Sequence, residues 1–141
     1  MNDNPRARAW LRLAAVYFAV GVTLGVVMGA SGDHSLFPVH AHINLLGWVS
    51  MALFGLIGTA YPSVSVGRVA CAQFWMHNVG VPVMLGALTL RLKGTEAAEP
   101  MIGVASIIVG LSALLFAWLV FTRIGGQSRS AQPAGQRRGA A

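Results

Sequence analysis

Apolar and polar positions along this chain fall into long blocks. Residues 13–30, 39–60, 69–90 and 101–122 carry no Asp, Glu, Lys or Arg. The breaks between the blocks are short and rich in Gly, Ser, Pro or charge. A helix needs about 20 mostly apolar residues to cross the hydrocarbon core of a bilayer. The pattern therefore predicts an all-α integral membrane fold with four transmembrane helices, at about 10–30, 38–61, 69–91 and 101–122. Together they make one four-helix transmembrane domain over residues 1–124. Residues 125–141 are rich in Gly, Ser, Gln and Arg, which predicts a disordered basic tail. The first block follows arginines, as a signal peptide does, but it has the length of a spanning helix and is read as one.

Four spans place both termini on one side. That side collects Arg6, Arg8, Arg12, Arg68, Arg123, Arg129, Arg137 and Arg138, whereas the other collects Arg91 and Lys93 with Asp33, Glu96 and Glu99. The positive-inside rule then predicts cytoplasmic termini in a multi-pass protein of the inner (plasma) membrane.

Composition sharpens this picture. The chain is 55% hydrophobic and 10% charged, with a mean hydropathy of +0.65. Soluble domains are about one quarter charged. The pI of about 11.2 would suit a nucleic-acid binder, but the arginines flank apolar runs, and nucleic acid is not expected as a partner. The partner read from the pattern is the lipid bilayer. Cys71 is the single cysteine and can form no internal disulfide. Gly21, Gly25 and Gly29 recur at intervals of four, a face that admits close helix contact. Gly47 and Gly55 leave room for a neighbour or a ring.

The candidate chemistry lies in His40-Ala41-His42 at the head of the second apolar run. Ionisable groups inside a membrane usually face a partner, a cavity or a cofactor. A helix turns about 100° per residue, so His40 and His42 point about 200° apart. They can serve two sites on opposite flanks of one helix but not one shared metal. Imidazoles bonded to loop carbonyls at a wet helix end are the alternative. Zinc would need three or four convergent ligands, and Asp33, His34 and His40 are the only nearby set. The plain reading of His77 is a buried histidine bonded to a neighbouring helix, and that of His34 is a solvated loop residue.

The run His40-Ala-His42-Ile-Asn-Leu-Leu-Gly, followed by an apolar helix ending Tyr61-Pro62, resembles the tenth helix of subunit I of haem–copper oxidases. Gln73-Phe74-Trp75-Met76-His77-Asn78-Val79-Gly80-Val81 is similar to the eleventh helix of that family. The likeness covers about residues 38–85, and helices one and four correspond to the ninth and twelfth only by analogy. It implies that His40 and His42 are axial haem ligands, to the high-spin and the low-spin haem of the family respectively. It implies a b-type haem and no copper site, since the family's copper histidines lie on helices this chain lacks. The family's propionate-binding arginine pair is not matched in register; Arg91 and Lys93 are the residues that could replace it. Position 82 is Pro where the family has Asn, and position 77 is His where the family has none.

The family subunit has twelve helices in three four-helix arcs, and this chain has the size of one arc. The resemblance therefore implies a homo-oligomer, preferably a trimer and otherwise a dimer, with haem between His42 of one copy and His40 of the next. The expected function is electron transfer with a redox partner, or binding of O2 or NO. Two alternatives stay open. One is a minimal oxidoreductase of the oxygen or nitric oxide reductase type. The other is a cofactor-free packing or assembly protein.

Overall fold

Asn4 opens the first helix. Its side-chain oxygen accepts the Ala7 N–H at 3.2 Å, and Pro5 occupies the first turn, where a missing N–H costs nothing. In the computed structural model, which describes residues 4–124, this helix, α1, spans Pro5–Ser31 and ends at Gly32, whose φ of 69° is left-handed. Helix α2 spans Phe37–Ala60, α3 spans Gly67–Leu92 and α4 spans Glu99–Arg123. Single 3-10 turns, Pro62–Ser65 and Glu96–Ala98, precede α3 and α4. The described residues contain no strand. The expected tail, 125–141, lies outside the described residues.

The structure departs from the plain hydropathy pattern in two places. The second run is not a uniform helix. It is α-helical over Phe37–His42 and Ser50–Ala60, but π-helical over Ile43–Val49, where hydrogen bonds reach five residues back. The Ser50 N–H and, at 2.8 Å, its hydroxyl both donate to the Leu45 carbonyl. Trp10, whose ring suits a membrane interface, is instead buried inside the bundle. Its ring meets Phe54, Phe74 and His77 edge-on, with centroids 5.1, 4.8 and 5.6 Å away.

Helix α1 packs along α2, and α3 packs along α4. The two hairpins meet through Val39 and Ile43 of α2, Val81, Met84 and Leu85 of α3, and Val109 of α4. A second cluster joins Trp10, Ala14, Met51 and Phe54. A third joins Val64, Ala70 and Leu119 beneath the α2–α3 turn.

Three helices are long and apolar enough to cross a membrane: Pro5–Ser31, Phe37–Ala60 and Glu96–Arg123. Helix α3, at 26 residues, is long enough, but Gln73, His77 and Asn78 dilute its apolar run. Gln73 and His77 are turned inward and buried. Thr23, Thr59, Thr89 and Thr122 each bond the carbonyl four residues back, so their hydroxyls are satisfied within their own helix. Val104, Ile107, Leu111, Leu114, Trp118 and Phe121 line an exposed apolar face of α4, compatible with lipid contact.

The alternation of helices creates two unlike ends. The arginine end holds the N-terminus, the α2–α3 turn and the end of α4. Arg6 donates to the Ser65 carbonyl, Arg123 to the Ser63 and Val66 carbonyls at 2.8 and 2.6 Å, and the Asn4 amide to the Gly58 carbonyl at 3.1 Å. The histidine end holds the α1–α2 and α3–α4 turns together with His34, His40, His42, Arg91 and Lys93.

Candidate functional site

Pro38 lies in the first turn of α2 and His42 one turn later. The His42 Nδ1 lies 2.7 Å from the Pro38 carbonyl. A carbonyl can only accept, so Nδ1 carries the proton and donates. Nε2 is then the unprotonated nitrogen, and it has no hydrogen-bond partner among the described residues. A backbone carbonyl that fixes the tautomer of one nitrogen and leaves the other free is the usual preparation of a metal-binding histidine. The side chain is half-buried.

His40 has a different setting. It turns towards α1, where its Cε1 would lie 2.9 Å from a Cβ placed on Gly25. The ring therefore rests on bare backbone. Asn44, one turn along, fills the space beside Gly21, where an added Cβ would lie 3.1 Å from the Asn44 Cγ. The Asn44 amide donates to the His40 carbonyl at 2.8 Å, while its distances to the two ring nitrogens are 3.5 and 3.4 Å. The short bond is the one to the backbone. Two members of the glycine face thus receive side chains of α2; at Gly29 an added Cβ meets nothing within 4 Å.

Arg91 and Lys93 share the histidine end but do not join the histidines. The Arg91 Nε donates to Glu99 at 2.8 Å in an exposed pair. Such a pair contributes little and leaves the guanidinium free to exchange partners. Lys93 sits near enough to Asp33 to help hold that carboxyl below its usual range. The main causes there are the backbone and side-chain hydrogen bonds from Ser35. His34 is exposed, with Nδ1 3.0 Å from the Gly32 carbonyl.

His77 is 1% exposed, and both of its nitrogens are engaged. Nδ1 lies 2.9 Å from the Ser112 hydroxyl of α4, and Nε2 lies 3.1 Å from the Leu46 carbonyl in the π segment of α2. With each nitrogen against a protein oxygen and the ring buried, neither is open to a metal. The Ser112 hydroxyl also lies 2.7 Å from the Val109 carbonyl. The bond to Leu46 ties α3 to α2, and a lone histidine in an apolar run signals such a partner without naming it. Below His77 the Gln73 Nε2 is buried with no hydrogen-bond partner.

Among the described residues no three His, Cys, Asp or Glu side chains converge on one point. A shallow groove of about 410 Å³ on α1 is lined by Ala19, Val20, Thr23, Leu24 and Val27. Its one hydroxyl, on Thr23, is already bonded to the Ala19 carbonyl at 2.8 Å. Comparison with known proteins returned no matching family, no matching curated relative and no matching solved structure.

Proposed function

We propose that this chain is a haem-binding integral membrane protein, with four spans, cytoplasmic termini and a place in the inner (plasma) membrane. The observation that supports the reading is His42. Its Nδ1–H is held by the Pro38 carbonyl and its Nε2 is unpartnered, which is the form of imidazole that ligates iron. The fit extends to one ligand in one chain. A second axial ligand would come from another copy, which favours a homo-oligomer, with a trimer preferred over a dimer. His40 can be that ligand only if its ring swings away from Gly25. Arg91 and Lys93, at the same end, are the cations that would neutralise the propionates.

A b-type haem with two histidine ligands supplies one-electron transfer, and with one histidine it leaves a position for O2 or NO. The chain's own part is to fix the His42 tautomer through Pro38 and to present its Nε2 at the exposed end of the bundle. An oxygen or nitric oxide reductase would need a second metal site. The proposal is confined to haem binding, electron transfer and gas binding.

A second reading, a cofactor-free packing protein, is favoured by the seating of His40 on Gly25 and Asn44 on Gly21. One experiment separates the two. Absorption spectra of the detergent-purified protein, oxidised and reduced, are recorded for wild type, His42→Ala and His40→Ala after expression with haem available. Haem binding predicts a Soret band that is lost in His42→Ala. Sharp reduced α and β bands would indicate two histidine ligands, and a shift with carbon monoxide an open position. Wild-type protein without a Soret band would leave the packing reading.

A further inference from the structure

The π segment of α2 lies immediately after the His40–His42 pair and is gripped from both sides. On one side the Tyr17 side chain of α1 lies against Gly47, in space a Cβ would occupy. On the other, the His77 Nε2 reaches the Leu46 carbonyl at 3.1 Å. The carbonyl accepts, so Nε2 carries the proton, and His77 is a buried donor aimed at the backbone of another helix. The Ser112 hydroxyl at 2.9 Å from Nδ1 holds the ring in that plane. Phe54 and Trp10 meet the ring edge-on, with centroids at 5.1 and 5.6 Å. The ring has no room to turn away.

A π segment is equivalent to one extra residue in an α-helix. It rotates the residues before it by about 100° relative to those beyond it. Residues Gly55 and Met51, beyond the segment, set how α2 packs lower on α1. The direction of His40, His42 and Asn44 is set by the segment itself.

We infer that His77 is a positioning residue: by donating to the Leu46 carbonyl it holds the π turn open, and so aims His40 and His42 from another helix. The backbone consequence stands by itself. The consequence for a bound haem rests on the proposed ligand role of His42.

The test uses the full chain carrying Cys71→Ser, in bilayers, with two engineered disulfides read separately. The upper pair is Gly21→Cys with Asn44→Cys. The Gly21 Cβ position lies 3.1 Å from the Asn44 Cγ, which brings the two Cβ atoms within disulfide reach. The lower pair is Leu11→Cys with Gly55→Cys, where the corresponding distance to the Leu11 Cγ is 2.7 Å. With His77 present, both pairs oxidise. In His77→Leu, which keeps bulk but no donor, the upper pair should close at least tenfold more slowly while the lower pair is unchanged. His77→Gln, which restores an N–H donor, should recover the upper pair. Equal closure of the upper pair in His77→Leu would overturn the inference. Loss of both pairs would overturn it too, because His77 would then support the hairpin as a whole. The readout needs no haem, so a wild-type protein without a Soret band would remove the proposed function and leave this inference standing. Where a Soret band is present, His77→Leu should also shift the low-spin electron paramagnetic resonance g values, which report the plane of the axial imidazole.

Discussion

The two ends of the bundle are built on different principles. At the arginine end, charged side chains donate to backbone carbonyls of a turn that belongs to another helix: Arg6 to Ser65, and Arg123 to Ser63 and Val66. Beneath that turn Val64, Ser65, Ala70 and Leu119 are buried, and Trp10 and Ala7 close the α1 side. At the histidine end the turns are exposed, and their hydrogen bonds are short-range, such as Ser35 N–H to Asp33 at 2.9 Å. Gly29, Gly86 and Gly103 lie towards that end with nothing within 4 Å of an added Cβ. The charged contacts that fasten the chain are therefore concentrated away from the histidines. A site that must admit a large planar ligand or a second copy needs unfilled surface, and the end that carries His42 has it. The lesson is that the two ends are fastened differently: charged side chains bond turn carbonyls at one, and Val39, Ile43, Met84 and Leu85 pack beneath exposed turns at the other.

The largest expected contrast is between truncations. Trp10→Ala empties a buried aromatic position, and losses for such changes run to about 3–5 kcal/mol. Leu45→Ala removes a side chain that is 61% exposed and should change stability by roughly 0.5 kcal/mol or less. Reversible unfolding in mixed micelles reads both. Equal losses would show that Trp10 does not anchor the bundle beneath the arginine end.

Next come two glycines in α2 and α3. Gly47→Ala drives a methyl into the Tyr17 ring and should cost about 1–3 kcal/mol. Gly86→Ala meets open space and should instead stabilise its helix by up to about 1 kcal/mol. The same unfolding assay gives both signs. A gain at Gly47 would mean that the π segment is not fixed by Tyr17.

The smallest effect concerns pH. The Ser35 N–H, which donates to Asp33 at 2.9 Å, holds that carboxyl below its usual range. A lowered folded-state pKa means that the turn's contribution is present above the usual carboxylate range and is lost as pH falls through the lowered value. The Ser35 amide proton shift, followed by NMR, should therefore titrate with a midpoint below the ordinary Asp value of about 3.9. A midpoint at or above that value would show that the histidine-end turn is not ordered by this bond.

Much of the fold was legible in the sequence, and the reasons are specific. Uncharged runs at residues 13–30 and 101–122 have the length of spanning helices, and Pro38 suits the first turn of the second, whereas α1 starts at Pro5, five residues before the expected position. The opposed directions of His40 and His42 follow from helical rotation, and His40 does point at α1 through Gly25. Other features were not legible. Trp10 is amphipathic, and nothing local distinguishes an interfacial position from the interior one it takes among Phe54, Phe74 and His77. The π segment has no compositional mark, because it depends on a carbonyl of one helix meeting a donor of another.

By itself, then, the chain determined its helices, its unequal ends and the two histidines that stand at one of them, since hydropathy, charge and caps act over a few residues. Only the structure decided how each histidine nitrogen is engaged. The Pro38 carbonyl, one turn before His42, accepts its Nδ1–H and leaves Nε2 unpartnered among the described residues, as the Gly32 carbonyl does for His34. His40 is pressed onto Gly25 of α1, and His77 is spent on Ser112 and Leu46. The His42 bond follows from the turn of its own helix, whereas the seat of His40 and both partners of His77 come from other helices that only packing brings near.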